Sequence, residues 1–325
     1  MKAIVINTPG GPEVMKLGEL PDPIPGPDEL LVRVRASALN RADVLQRRGM
    51  YPPPSGAPAT LGLEMAGEVA ELGQNVSGWQ PGERVMALLG GGGYAEKVVI
   101  PAAMAMRIPE KLSFEEAAGV PEAFLTAYLN LFMLGELQPG QRVLVHAGGS
   151  GVGTAAIQEA KAVGATVFTT VGSDDKAQRC QELGADFAVN YKTEDFARRI
   201  QAETGGQGVN IILDFIGAPY YEANIESLAL NGRLILIGQL GGGKVQADLG
   251  AIMRKRLLIT GTTLRSQTLE RKIEITRRFA EFGLSCFADG SFKPVIDRVF
   301  PLSDAPAAHT YMEEGRNFGK IVLKM

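Results

Sequence analysis

The chain has 325 residues, 45 % apolar and 21 % charged, with a formal net charge of −3. That balance suits a globular protein with room for two domains and a large core, and with no tract of Lys and Arg it argues against a nucleic-acid partner. No run approaches the ~20 apolar residues of a membrane span. The start, "MKAIVINTPGG", is too short for a signal core, and Cys180 and Cys286 are expected as free thiols in a reducing cytoplasm.

In chain order, the first third predicts short strands. "KAIVI" is one, and "ELLVRVRASAL" alternates Val32 and Val34 with Arg33 and Arg35, as a half-exposed strand does. "EMAGEVAELG", "ERVMALL" and "YAEKVVI" follow, separated by Pro-rich turns. Near Phe114 the pattern turns helical. Ser113 and Glu116 stand at capping-box spacing, and Pro121 is expected to split the helix.

From "RVLVHA" the chain alternates strand and helix through "GTAAIQEAKAVG", "TVFTTV", "DDKAQRCQELG", "FAVNY", "EDFARRIQAET", "NIILDFIG", "YYEANIESLAL" and "GRLILIG". Such alternation predicts a doubly wound parallel sheet. A long helix, "LERKIEITRRFAEFG", comes next, and a last strand could return to the first domain. The expected fold is α/β: a Rossmann sheet over 121–265, and a β-rich domain over 1–120 and 266–325.

The loop after the first strand of the alternation reads Gly148-Gly149-Ser150-Gly151-Val152-Gly153. Against G-x-G-x-x-G it keeps the first and last glycines and puts a small residue, Ser150, in the middle. The backbone can still approach a pyrophosphate, and the following helix points its N–H groups at the anion. A nucleophile elbow, G-x-S-x-G, would need glycine at Val152 and a later histidine. Only His309 follows the loop, in what reads as an ordinary surface helix. A turn serine without a ligand is the third reading of Ser150. "GQLGGGKV" approaches a phosphate-binding P-loop, but Val245 stands where the magnesium-binding Ser or Thr would be.

The second strand of the alternation ends in Gly172-Ser173 instead of the acid that holds the ribose of NAD. Asp174 and Asp175 follow too late and read as residues of a helix N-terminus. Lys176 comes next. A hydroxyl and an ammonium in place of an acid suit a 2′-phosphate, so NADPH is expected over NADH. The alternative for Lys176 is a solvated helix lysine. No Cys and His stand at zinc-ligand spacing, so no metal is expected.

The segments "SALNRADVLQRRGMYPPP", "LGLEMAGEVAELG", "HAGGSGVGTAAIQ", "NGRLILIGQLGGG" and "GRNFGKIVL" resemble the zinc-free quinone oxidoreductases. These form the zeta-crystallin-like branch of the medium-chain dehydrogenase/reductase superfamily, and within it the segments resemble the tumour-suppressor-induced type. The resemblance runs along essentially the whole chain. It implies that the β-rich domain is GroES-like and that the protein is a cytoplasmic NADPH:quinone oxidoreductase.

In zinc-containing relatives a Cys stands at the position of Asn40 and a His at that of Leu63. The resemblance implies that Asn40 and Tyr51 line the nicotinamide and substrate cleft, and that Thr126 meets the cofactor. Gly148 and Ser150, Gly151, Val152 and Gly153 would hold the pyrophosphate. Ser173, Lys176 and Tyr191 would grip the 2′-phosphate side of the adenosine, and Leu240 and Asn317 would close the cleft. Each has a plainer alternative: Asn40 as a turn cap, Tyr51 as a loop anchor on prolines, Tyr191 as packing.

Three classes of function stay open at this point. Hydride transfer from NADPH to a quinone needs positioning more than acid catalysis, and Tyr51 could bond the developing oxyanion. The same site could reduce enals or enones. A cofactor-binding protein with a structural or RNA-binding role, and a serine hydrolase built on Ser150, are the rivals from other classes. The segment "RKRLLITGTTLR" reads as an exposed sheet edge, and a homodimer is expected from it.

Overall fold

The computed structural model describes residues 1–325. The chain forms two compact units, one of Met1–Leu125 with Leu264–Met325, the other Thr126–Thr263.

In the first unit a seven-stranded sheet is built on the strand Glu29–Ala38, which pairs antiparallel with Glu64–Leu72 and with Lys97–Pro101. Arg84–Leu88 and Ala105–Arg107 extend one side. On the other side the chain's last strand, Lys320–Lys324, joins antiparallel to Glu29–Ala38 and parallel to Ile296–Pro301. The alternation of "ELLVRVRASA" buries Val32 and Val34 and exposes Arg33 and Arg35. Leu30, Val32, Met65, Val85 and Ile100 then meet in one core.

The helix that was expected to break does so. Phe114–Ala118 starts from Ser113, whose hydroxyl accepts from the Glu116 N–H, and a new helix begins at Pro121. The long helix, read as ending near Gly283, continues to Asp289. It stops at Gly290, whose φ of 92° is a left-handed conformation. Phe279 and Phe287 hold its C-terminal half against Phe124, with ring centroids of Phe124 and Phe287 4.9 Å apart.

In the second unit six strands, all parallel, are ordered Phe187–Asn190, Thr166–Val171, Arg142–Val145, Val209–Asp214, Leu228–Leu236, Leu258–Gly261. Counted in chain order within the sheet this is 3-2-1-4-5-6, the Rossmann order, whose ligand crevice lies where the order reverses beside strand 1. The helix read over "YYEANIESLAL" is shorter than expected, Tyr221–Ser227, because Leu228 already pairs with Val209 in the sheet. Leu258–Gly261, from the segment read as an edge, is an edge strand. No helix is long and apolar enough to cross a membrane.

Candidate functional site

The glycine loop leaves the carboxyl end of Arg142–Val145 and opens the helix Gly151–Ala162. Ser150 is its N-cap: the hydroxyl oxygen accepts from Gly153 N–H at 3.0 Å. Ser150 therefore shapes the loop, and no histidine bonds it. Gly153 is required by close approach. A Cβ there would lie 2.7 Å from Gly148 Cα and would strike Ala147 O. One at Gly148 would strike Thr169 Oγ1 and lie 3.1 Å from Cys180 Sγ. Gly151 and Val152 form the first turn, whose N–H groups lack helical partners. These residues fit a pyrophosphate.

The second helix N-terminus, Asp174–Glu182, is capped by Ser173, whose hydroxyl accepts from Lys176 N–H at 3.3 Å. That leaves the Ser173 hydroxyl proton available to an acceptor. Asp174 accepts from Asn190 Nδ2 at 2.8 Å, so the first of the two acids after the strand is engaged by a side chain. The Tyr191 hydroxyl lies over Gly172, 2.8 Å from where a Cβ would stand. Ser173, Lys176 and Tyr191 are thus brought together at one turn.

Beside it, buried His146 bonds Thr170 Oγ1 at 2.9 Å and Asn224 Oδ1 at 2.7 Å, and Asn224 Nδ2 donates to Asp214. Burial lowers the His146 pKa, which keeps the ring neutral. This network ties the ends of three strands. Leu240 is exposed on the loop after Leu228–Leu236. Thr126 is buried, its carbonyl accepting from Asn130 Nδ2 at 2.7 Å.

In the β-rich unit, Asn40 lies within a closed network. Its Nδ2 donates to Glu64 Oε1 at 2.8 Å, and its Oδ1 accepts from Lys320 Nζ at 2.8 Å. Lys320 uses its other ammonium protons on Leu39 O at 2.8 Å and Glu64 Oε1 at 2.6 Å. Glu64 Oε2 accepts from the Glu122 N–H at 2.8 Å. No group of three or more His, Cys, Asp or Glu is placed to hold a metal. A zinc ion does not fit: an amide and a leucine occupy the two ligand positions, and the Lys320 ammonium supplies the cation beside Glu64.

Tyr51 is half-buried, and the Arg265 guanidinium lies 5.3 Å from its ring centroid. No protein group bonds its hydroxyl, and burial raises its pKa, which keeps it protonated. Arg265 is fixed by Gly90 O at 2.8 Å and Gln46 Oε1 at 2.6 Å. Asn317 Nδ2 donates to Gly319 O at 2.8 Å just before the last strand.

The sequence reading missed three things. His309 is fully buried, not on a surface face. It bonds Arg47 Nη1 and the Tyr94 hydroxyl, each at 3.1 Å. Tyr94 in turn reaches Asp43, which accepts from Asn40 N–H at 2.8 Å and Gly62 N–H at 3.0 Å. Lys320 and Glu122 also gave no signal, because a lysine opening a strand and a glutamate in a first helical turn are ordinary surface choices.

Comparison with known proteins agrees with this architecture. Residues 26–110 match the family model of the alcohol dehydrogenase GroES-like domain, and 151–279 that of the zinc-binding dehydrogenases. A quinone oxidoreductase of Pseudomonas aeruginosa is 35 % identical over 99 % of this chain and 99 % of its own. The structure of Escherichia coli quinone oxidoreductase complexed with NADPH superposes with a TM-score of 0.90 at 32 % identity, covering 100 % of both chains. A structure described as an NAD-dependent alcohol dehydrogenase gives 0.89 at 36 %, again over 100 % of both. The chain belongs to the medium-chain dehydrogenase/reductase superfamily, a class of two-unit oxidoreductases. Within that superfamily, quinone oxidoreductases are among its full-length relatives.

Proposed function

We propose that the protein is an NADPH-dependent oxidoreductase that reduces quinones by hydride transfer without a metal. The observation that carries the cofactor choice is the turn at Gly172–Ser173. A hydroxyl proton is available there, Lys176 stands in the first turn of the helix, and Asp174 is held by Asn190. A 2′-phosphate is favoured at such a turn by both charge and the helix terminus, whereas the ribose of NADH would lack its usual acid.

When bound, NADPH supplies the hydride. The glycine loop holds its pyrophosphate. Tyr51, protonated and without a protein partner, donates to the substrate oxygen as charge develops there. Asn40 acts as a positioning residue, since its amide is engaged by Glu64 and Lys320. The same arrangement also suits conjugated carbonyls, and the unpartnered Glu122 carboxyl favours that second reading. The exposed edge strand Leu258–Gly261 is where a homodimer would pair.

Oxidation of NADPH and of NADH, followed at the nicotinamide absorbance with a panel of quinones, enals and enones, tests these assignments. NADPH-specific turnover of quinones is expected. Turnover of enals alone would move the substrate class, and binding of NADPH without turnover would favour a non-catalytic protein. Failure to bind either nucleotide would overturn the assignment of the glycine loop.

A further inference from the structure

Glu122 is the first residue after Pro121 in the helix Pro121–Tyr128. Its N–H is bound to Glu64, but its carboxyl group has no donor. Oε2 is buried from solvent without a hydrogen-bond partner. Oε1 has no partner either, and as the residue is only half-buried this is the oxygen left open. A carboxylate in that position receives no hydrogen bond to stabilise its charge, while a carboxylic acid there has a proton and nothing in the protein to give it to.

Burial and four charged groups act on it. Burial first and then the Glu64 carboxylate raise its pKa to about 8, Asp43 adding to the rise, while Lys320 and Arg265 oppose it. Burial raises the Tyr51 pKa and Glu122 adds to the rise; burial lowers that of Lys272 and Glu122 opposes the fall. Lys320 is paired with Glu64, while Arg265 bonds Gly90 O and Gln46 Oε1 and keeps its Nη1 unpartnered; neither forms an ion pair with Glu122. The same neighbourhood thus holds two neutral O–H donors at pH 7, Tyr51 and Glu122, neither with a protein acceptor.

We propose that Glu122 is the proton donor of the reaction, delivering its Oε1 proton to the oxyanion created on the substrate. This rests on the reading of the β-rich unit as the substrate-binding unit. With a conjugated carbonyl, the hydride adds to the β-carbon and the C=C electrons move to form an enolate. The enolate oxygen takes the Glu122 proton while Tyr51 holds it by hydrogen bond. Glu122 is left as a carboxylate and regains a proton from solvent. One hydride and one proton are consumed per substrate, and the nicotinamide is the species oxidised. A quinone, a stronger acceptor, follows the same path with less need of the acid.

Glu122→Gln tests the assignment, because an amide keeps the shape and can hydrogen-bond but cannot transfer the proton. Wild-type turnover of an enone is expected to fall as pH rises through about 8. In the variant, turnover should drop roughly a hundredfold on the enone and less on a benzoquinone. The alkaline limb should vanish, and NADPH affinity and the unfolding midpoint should hold. Turnover within about twofold of wild type with the same alkaline limb would overturn the role of Glu122 alone. A wild type inactive with every quinone, enal and enone would overturn the proposed function itself. If the Gln variant does not fold, the infrared carboxyl band of the wild-type protein decides: no protonated carboxyl titrating near pH 8 refutes the proposal.

Discussion

Removing the Lys320 ammonium should uncover the cost of the charges it balances. Lys320→Met keeps the aliphatic stem but deletes bonds to Leu39 O, Asn40 Oδ1 and Glu64 Oε1. The Lys320 side chain is 5 % exposed and that of Glu64 0 %, so water cannot replace the lost partner. Breaking one side of a buried pair costs about 3–5 kcal/mol, most of it the penalty of the charge left behind. For a unit of this size that corresponds to a fall in midpoint of roughly 10 °C. Thermal unfolding can be followed through the single tryptophan, Trp79, which lies in the same unit. Lys320→Met combined with Glu64→Gln should recover a substantial part of the loss, since the uncompensated charge is gone. A single variant within ~1 kcal/mol of wild type, or a double variant no more stable than the single, would refute an account based on buried charge.

Other consequences are open to measurement. Lys176→Ala should weaken NADPH binding by about 1.5–3 kcal/mol, or roughly tenfold to a hundredfold, with NADH little changed; equal effects on both nucleotides in a fluorescence titration would remove the 2′-phosphate role. Gly153→Ala should abolish nucleotide binding while the β-rich unit still unfolds cooperatively, because the added methyl meets backbone at Gly148 and Ala147. His309 has its pKa lowered to about 3 by burial, then by Arg47 and Arg41. Its neutral form therefore contributes stability above the unfolded value of ~6.5 that is lost as pH falls toward 3. Asp43, raised to about 6 by burial, works in the opposite sense and gains protons on folding between pH 6 and its unfolded value of 3.8. His309→Gln should accordingly flatten the acid limb of a stability–pH curve, and an unchanged limb would assign acid sensitivity elsewhere.

The strand–helix alternation and the course of the glycine loop were legible because each rests on local chemistry: periodicity, caps, and glycines where backbone approaches backbone. Ser150, Ser173 and Ser113 all turned out to be N-caps, so the same signal that located the helices also located the candidate phosphate contacts. The charges around Asn40 were not legible. Glu64 finds its counter-charge 256 residues later in the chain, and no window of sequence contains both. His309 was misread for a related reason: its partners Arg47 and Tyr94 come 262 and 215 residues earlier, and from its own helix alone it reads as a surface position. Glu122 differs again, since what distinguishes it is a missing donor, which is a property of the folded chain and not of any stretch of sequence.

The return of the last strand to Glu29–Ala38 also sets an order of events during synthesis. The β-rich unit is discontinuous, with residues Thr126–Thr263 made between its two parts. Those residues form a sheet of their own and can fold as soon as they emerge. The first unit cannot neutralise Glu64 until Lys320 has been translated. Pairing across so many residues is slow to form. A chain in progress would therefore carry a finished parallel-sheet unit while the β-rich unit still held an unbalanced buried charge, completed only with the last strand in place.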